Sequence, residues 1–492
     1  MSEDDDSGLS GSHTASDEFL NPLHSISSTG LHPQDILQQS GNVSTFYLGT
    51  DAPAASNNNI SAPVFAQLNA QSSAEGQPER ADPDPTFDEA FRTDLLETAP
   101  SADVYTPPFS LGLALSRKSS PFREPRFPIS DAQALALLRS YLTESATWCE
   151  TTDTNKHFSA VCAHDMLESN IFKGSALALA SRQLSMTGVL VEEIALQLYQ
   201  YTIQLLIQQD PDQADAAILA SCTLLCVYEM MASDVVDWRR HLKGCAGLFS
   251  SKGWNGSSEG LMKACFWAFA RIDLWAAFLL EKRTLIPTNC WVSDESLERA
   301  AAIDCPDDYC NLSILLFARV VNCLSRDDSE STTSESRREA QQLWARFQEW
   351  WKFRPKRVRA LYRTGPTNSN PFPTIVFTYT SSICGNTFYH AGSLLLLEKL
   401  CIDPGSDSSD EMIDPIWHAM ELCGISVSNV DHLDFGLNMR LLGDDEDDHA
   451  DDTARYAAEQ IVLLKHLIRI QRETGWKTEG RAEDLRKIWG LQ

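Results

Sequence analysis

From Ser130 onward the apolar residues return at three- and four-residue spacing, segment after segment. That period suits a helix that buries one stripe, and it does not suit a strand. Leu135, Leu138 and Leu142 open the series behind Ser130 and Gln133, which have the spacing of a capping box. Ile194, Leu198, Tyr201 and Leu205 form another stripe. Ile218, Cys222, Leu225 and Glu229 follow, opened by Asp210-Pro211-Asp212. Further helical patterns cover roughly 237–251, 259–282, 309–325, 334–352, 374–400, 411–430, 454–473 and 482–490. No alternating strand run, no Gly-rich strand-to-helix turn and no fixed-period repeat interrupts them. The expectation is an all-α, multi-helix array of about a dozen helices over 129–492.

Residues 1–128 read differently. They are rich in Ser, Ala, Pro, Asn and Asp, and eighteen acids against six Lys or Arg give them a net charge of -12. Such a composition buries too little apolar surface to offset ordering entropy, so a disordered acidic segment is expected. One island, Thr86 to Glu97, places Phe87, Phe91 and Leu95 on one helical face among Asp88, Glu89, Asp94 and Glu97. This pattern fits either a partner-binding acidic segment or a solvated tail with chance aromatics. Three polar stretches, Arg326 to Ser336, Asp403 to Asp410 and Asp444 to Asp452, read as surface connections.

Charge and cysteine usage narrow the function. The net charge of -28 disfavours unaided binding to a phosphate backbone and suits basic protein partners. All thirteen cysteines lie between Cys149 and Cys423, and no two stand two residues apart. They read as buried free thiols of a reducing compartment. Cys222 and Cys226 lie one helical turn apart, but no second pair completes a metal site. The longest uncharged stretch, Gly365 to Leu397, holds three prolines and His390 and reads as a loop feeding a buried helix, not a membrane span. No signal peptide is visible, so a cytoplasmic or nuclear location is expected.

Enzyme patterns are thin. Asp444-Asp445-Glu446-Asp447-Asp448 has the carboxylate spacing that all-α isoprenoid synthases use to hold magnesium and diphosphate. Asp451, Asp452 and Glu459 echo their second motif, but Arg455 stands where Ser or Thr is needed, and the two motifs adjoin. A solvated acidic loop explains both. No Gly-x-Ser-x-Gly elbow, phosphate loop or His-Glu-x-x-His pattern occurs. Basic residues cluster at Lys352, Arg354, Lys356, Arg357, Arg359 and Arg363, as a phosphate or import-receptor contact or as a solvated loop.

A series of motifs carries the recognition. Tyr228-Glu229 is followed by Trp238-Arg239-Arg240-His241-Leu242-Lys243-Gly244. Then come Phe266-Trp267, Arg271 and Asp273, then Leu285-Ile286-Pro287 with Trp291. Trp350-Trp351 with Arg354-Pro355, and Gly475-Trp476, complete the series. In order and spacing these resemble the fungal-specific transcription factor domain, the helical regulatory region of zinc-cluster regulators. The resemblance covers about Ser130 to Gln492. Trp238 and Leu242 are expected in the core. His241 is expected as a capping or buried hydrogen-bonding histidine, Arg271 and Asp273 as a structural ion pair, and Gly244 as a point of close helix approach.

The resemblance implies a nuclear transcription regulator, not an enzyme, with coregulators as partners. It also implies a homo- or heterodimer and a small-molecule effector between helices as further partners. Relatives read DNA through an N-terminal six-cysteine zinc cluster, yet no cysteine precedes Cys149 here. Zinc and DNA are therefore expected only if such a cluster is supplied elsewhere. The alternative is a non-DNA-binding interaction protein that antagonises full-length relatives. No membrane partner is expected.

Overall fold

A computed structural model describes residues 125–325, 333–368, 370–399, 402, 410–429 and 456–491. The helices of its first half are α1 (Asp131–Thr143), α2 (Ala163–Glu168), α3 (Asn170–Met186), α4 (Glu192–Leu206), α5 (Ala216–Ala232), α6 (Val235–Lys252) and α7 (Gly260–Leu279). Those of the second are α8 (Leu297–Ile303), α9 (Pro306–Leu324), α10 (Thr333–Phe353), α11 (Thr380–Glu398), α12 (Pro415–Ser428), α13 (Ala457–Thr474) and α14 (Glu479–Ile488). The all-α expectation is met. The segments up to residue 124, the island Thr86–Glu97 and the acid loop Asp444–Asp452 lie outside the described residues.

Local signals place several helix starts. Ser130 and Gln133 form the expected capping box at α1, with Ser130 N donating to Gln133 Oε1 at 3.0 Å. Asp210 caps only a short 3-10 turn, Pro211–Gln213. α5 starts five residues later, where Asp215 Oδ1 accepts from Ile218 N at 2.9 Å. α10 begins at Thr333, so the end of the polar stretch Arg326 to Ser336 is helical. A larger departure lies at 374–400. Thr374–Val376 is strand β2, antiparallel to β1 (Tyr362–Thr364), and α11 starts only at Thr380. Thr374, Ile375 and Val376 are all β-branched, which favours extended backbone over a helix start.

Packing runs as a relay. α3 contacts α1, α4 and α5, and α5 contacts α6 and α7. α7 meets α9, α9 meets α10 and α11, and α11 meets α12, which covers β2. One apolar core extends along this relay from Leu137 to Leu422, and a smaller one joins Phe372 and Cys423 to Leu463, Leu467, Ala482 and Leu485. α7 and α11 are buried on nearly every side, as helices that are apolar around most of their circumference must be. On α11 a Cβ at Gly385 would lie 2.7 Å from Cys310 Cβ, so glycine sets the approach to α9. No helix among the described residues is long and apolar enough to cross a membrane.

Candidate functional site

The recognition motifs converge around α7. Phe266 and Trp267 are buried on it, and Phe266 meets Phe249 of α6 edge-on at 5.5 Å. Trp291 joins both rings, 5.9 Å from Phe266 and 6.0 Å from Trp267. The two indoles also fix loops: Trp267 Nε1 donates to Gly256 O at 3.2 Å and Trp291 Nε1 to Ile286 O at 3.0 Å. Gly256 N in turn donates to Trp291 O at 2.7 Å. Pro287 is exposed and opens the short turn Thr288–Cys290 that leads into Trp291. Buried indoles need partners for their N–H groups, and loop carbonyls need donors, so each satisfies the other.

Two buried charges on α7 hold further loops. Arg271 donates to Thr152 Oγ1 at 3.0 Å and to the carbonyls of Trp148 at 3.3 Å and Cys149 at 3.4 Å. Asp273 Oδ2 accepts from Leu285 N at 2.6 Å, while its Oδ1 has no hydrogen-bond partner. Burial pushes the Asp273 carboxyl up to about 7, against the pull of Arg239 and of the Leu285 and Ile286 N–H groups. Arg239 itself donates to Arg283 O, fastening the same loop. The ion pair expected between Arg271 and Asp273 is absent among the described residues. They lie two positions apart on a helix, so they point to different faces and are satisfied separately.

The remaining motif residues divide between packing and surface. Trp238 and Leu242 are buried as expected. Tyr228 stacks on Tyr199 at 4.7 Å with the Arg182 guanidinium over its ring, and Glu229 accepts from Ser233 Oγ. His241 is half-buried in the middle of α6 and caps neither end of it. Gly244 does not mediate a close helix approach: it is exposed, and a Cβ there would meet nothing within 4 Å. Gly475, at φ +81, ends α13. A Cβ there would lie 2.7 Å from Met186 Cβ, and Trp476 then packs 5.3 Å from Trp148. Thus Arg271, Trp148 and Trp476 tie three distant stretches together.

A second convergence lies where α10, α11 and α12 meet; it takes in Trp351 and Arg354 of the recognition series, and its histidine pair was not singled out by sequence spacing. His418 Nε2 lies 3.0 Å from Met412 O, and that carbonyl can only accept, so Nε2 carries the proton. Neutral His418 then accepts at Nδ1 from His390 Nδ1, also 3.0 Å away. Burial pushes His418 down to about 4 and His390 well below its ordinary value, with His418 adding to the second shift. Trp351, Tyr389 and Trp417 wall the pair. Arg354 lies over the Trp351 ring at 3.1 Å and donates to Asn386 Oδ1 at 2.7 Å. Arg354 thus leaves the surface cluster in which the sequence placed it.

Chemically, both convergences are built to hold structure. Twelve described cysteines are free, and burial pushes the Cys149 and Cys222 thiols up to about 12, which makes them inert. Among the described residues no group of three His, Cys, Asp or Glu is placed to hold a metal. Glu150, Asp153 and Asp307 each accept from a backbone N–H of the loop after α1, at Ser159, His157 and Thr154, and so act as loop staples. An open recess of ≈ 440 Å³ is lined by Glu295, Ser296, Leu297, Glu298, Arg346, Glu349 and Phe353, at α8 and α10; none of the residues named in either convergence lines it.

Comparison with known proteins meets this geometry. A transcription activator of Alternaria alternata, AMTR1, is 21% identical over 253 residues, covering 42% of this chain and 29% of its own length. The chain thus spans less than a third of that relative. No solved structure matches. The family model described as the fungal specific transcription factor domain matches residues 136–430, a span that contains both convergences. The chain belongs to the fungal-specific transcription factor domain family.

Proposed function

We propose that this chain is a transcription regulator that works in the nucleus through its helical domain, by contact with coregulator proteins. One observation carries the reading: the family motifs from Tyr228 to Trp291 assemble into a continuous scaffold of α5, α6, α7 and the loop after it, within the segment that the family model matches. A buried scaffold of this kind presents surfaces and leaves the reading of DNA to another segment. The net charge of -28 favours protein partners over phosphate in the same way. A small effector would act here by shifting the population of exposed surfaces. Tethering the chain to a heterologous DNA-binding module tests this. A reporter should change when the chain is tethered, and the change should vanish with Trp291→Ala. A folded fusion that leaves the reporter at the level of the module alone, or that stays out of the nucleus, would sink the reading.

A second reading rests on the cysteine positions. None precedes Cys149, so these 492 residues carry no six-cysteine cluster. Where no cluster-bearing segment accompanies these residues, the protein would compete with relatives for partners. Co-expression with a cluster-bearing relative should lower that relative's reporter output.

A further inference from the structure

Asn255-Gly256 is the one Asn-Gly step in the 492 residues, and it lies in the connection between α6 and α7. The fold demands the glycine. A Cβ at Gly256 would stand 2.6 Å from Trp267 Cζ2 and 2.8 Å from Trp291 O, so only glycine fits. Glycine in turn leaves the backbone nitrogen that follows Asn255 unshielded by a side chain. That nitrogen is the one that can attack the side-chain amide of Asn255.

The two reacting groups are held unequally. Asn255 Oδ1 accepts from Ser257 N at 2.9 Å, a turn that folds the side chain back along the following peptide and polarises its carbonyl. Asn255 N donates to Ser258 Oγ at 3.0 Å and fixes the same turn. The electrophile is therefore presented. The nucleophile is locked: Gly256 is buried, its N–H donates to Trp291 O at 2.7 Å, and its carbonyl accepts from Trp267 Nε1 at 3.2 Å. A buried, bonded amide N–H gives up its proton only when the structure around it opens. The lock sits on a second loop. Ser257 Oγ accepts from Ser293 N at 2.9 Å and from Ser293 Oγ at 3.0 Å, so three bonds tie residues 256–257 to 291–293.

We infer that Asn255 is a site of spontaneous deamidation, shut while the Trp291 loop is in place and open whenever that loop lifts. On lifting, Gly256 N loses its proton and bonds to Asn255 Cγ. The Cγ–Nδ2 bond breaks, and the side-chain nitrogen leaves as ammonia with that proton. Water then opens the cyclic imide at either carbonyl, giving aspartate or isoaspartate. Isoaspartate carries an extra methylene in the main chain, so Gly256 N and O no longer meet Trp291 O and Trp267 Nε1 together. The step is one-way, and the modified fraction records how often the loop has opened. The inference does not rest on the regulatory reading, since the chemistry belongs to the isolated chain.

Incubation of the full chain at neutral pH, folded and in urea, tests it. Peptide mass spectrometry reads aspartate and isoaspartate in place of Asn255. The folded chain should convert about tenfold or more slowly than the unfolded one. Two variants loosen the lock and leave the Asn-Gly step intact. Ser257→Ala removes both bonds from Ser293, and Trp291→Phe removes the indole donor to Ile286 O. Each should convert about threefold or more faster than the folded wild type, and at the wild-type rate in urea. The isolated isoaspartate form should melt below the unmodified chain. If Trp291→Phe fails to fold, Ser257→Ala decides alone. No conversion in urea overturns the site. Equal rates in the folded and unfolded chains, or a folded variant that converts at the folded wild-type rate, overturn the lock. An isoaspartate form that melts with the unmodified chain overturns the one-way step.

Discussion

The convergence around α7 and the junction of α10, α11 and α12 both bury ionisable side chains, but they satisfy them with different partners. Around α7 the partners are backbone groups of loops: Arg271 meets the Trp148 and Cys149 carbonyls, and Asp273 meets the Leu285 N–H. At the junction side chains take a larger part, as ring faces, the Asn386 amide and a neutral histidine pair, beside the Met412 and Trp351 carbonyls. Backbone groups cannot be titrated or substituted, so the first region fixes where loops lie. The second depends on its side chains staying in one protonation state. The two regions therefore respond differently to mutation and in opposite directions to pH.

The strongest break in the comparison is Trp291→Ala. It removes a buried ring, its contacts to Phe266 and Trp267, and the donor for Ile286 O. A loss of about 3–5 kcal/mol in urea unfolding is expected.

Next comes pH. The folded value of Asp273, about 7, lies above its ordinary 3.8. Its contribution is full below the ordinary value and is lost as pH rises toward 7. For His418 the folded value, about 4, lies below its ordinary 6.5. That contribution is full above 6.5 and is lost as pH falls toward 4. Each is worth on the order of 3–4 kcal/mol, and in the wild type they partly cancel across the shared window. Asp273→Asn should unmask a stability that rises between pH 4 and 7, and His418→Gln one that falls. Parallel unfolding curves for the two variants across that range would show that the regions do not differ as described.

A smaller effect is expected of Arg354→Lys. An ammonium loses the planar stack on Trp351 and keeps at most one of the bonds to Asn386 Oδ1 and the Trp351 carbonyl. About 1–2 kcal/mol should be lost, read by thermal unfolding. The smallest effect has the opposite sign. Gly244→Ala fills open space on the exposed side of α6 and should stabilise by up to about 1 kcal/mol, raising Tm. A loss at Gly244 would restore the packing role that its motif suggested.

The sequence made visible what depends on near neighbours. The capping box at Ser130, the stripe of Trp238 and Leu242 and the apolar wrap of α7 are encoded within a few residues, so period and caps reveal them. What stayed hidden joins residues far apart. Arg271 finds Thr152 across 119 positions, and His390 meets His418 across 28. No local period encodes such pairings. The ion pair expected of Arg271 and Asp273 failed for the same reason: adjacency in a motif was read as adjacency in space. The hairpin was missed because three-residue strands are too short to show alternation, although the β-branched run Thr374-Ile375-Val376 was a signal.

The contact of Trp148 with Trp476 sets a clock on biosynthesis. The two indoles are made 328 residues apart, a delay of about 15–65 s at ordinary rates of elongation. Once Arg271 has been made, and until Trp476 follows, the emerging chain holds α3, the Arg271 anchor and one half of a tryptophan seam, with nothing yet to close it. Slowing or speeding translation between the two indoles therefore changes how long a nascent chain displays that half-seam to chaperones.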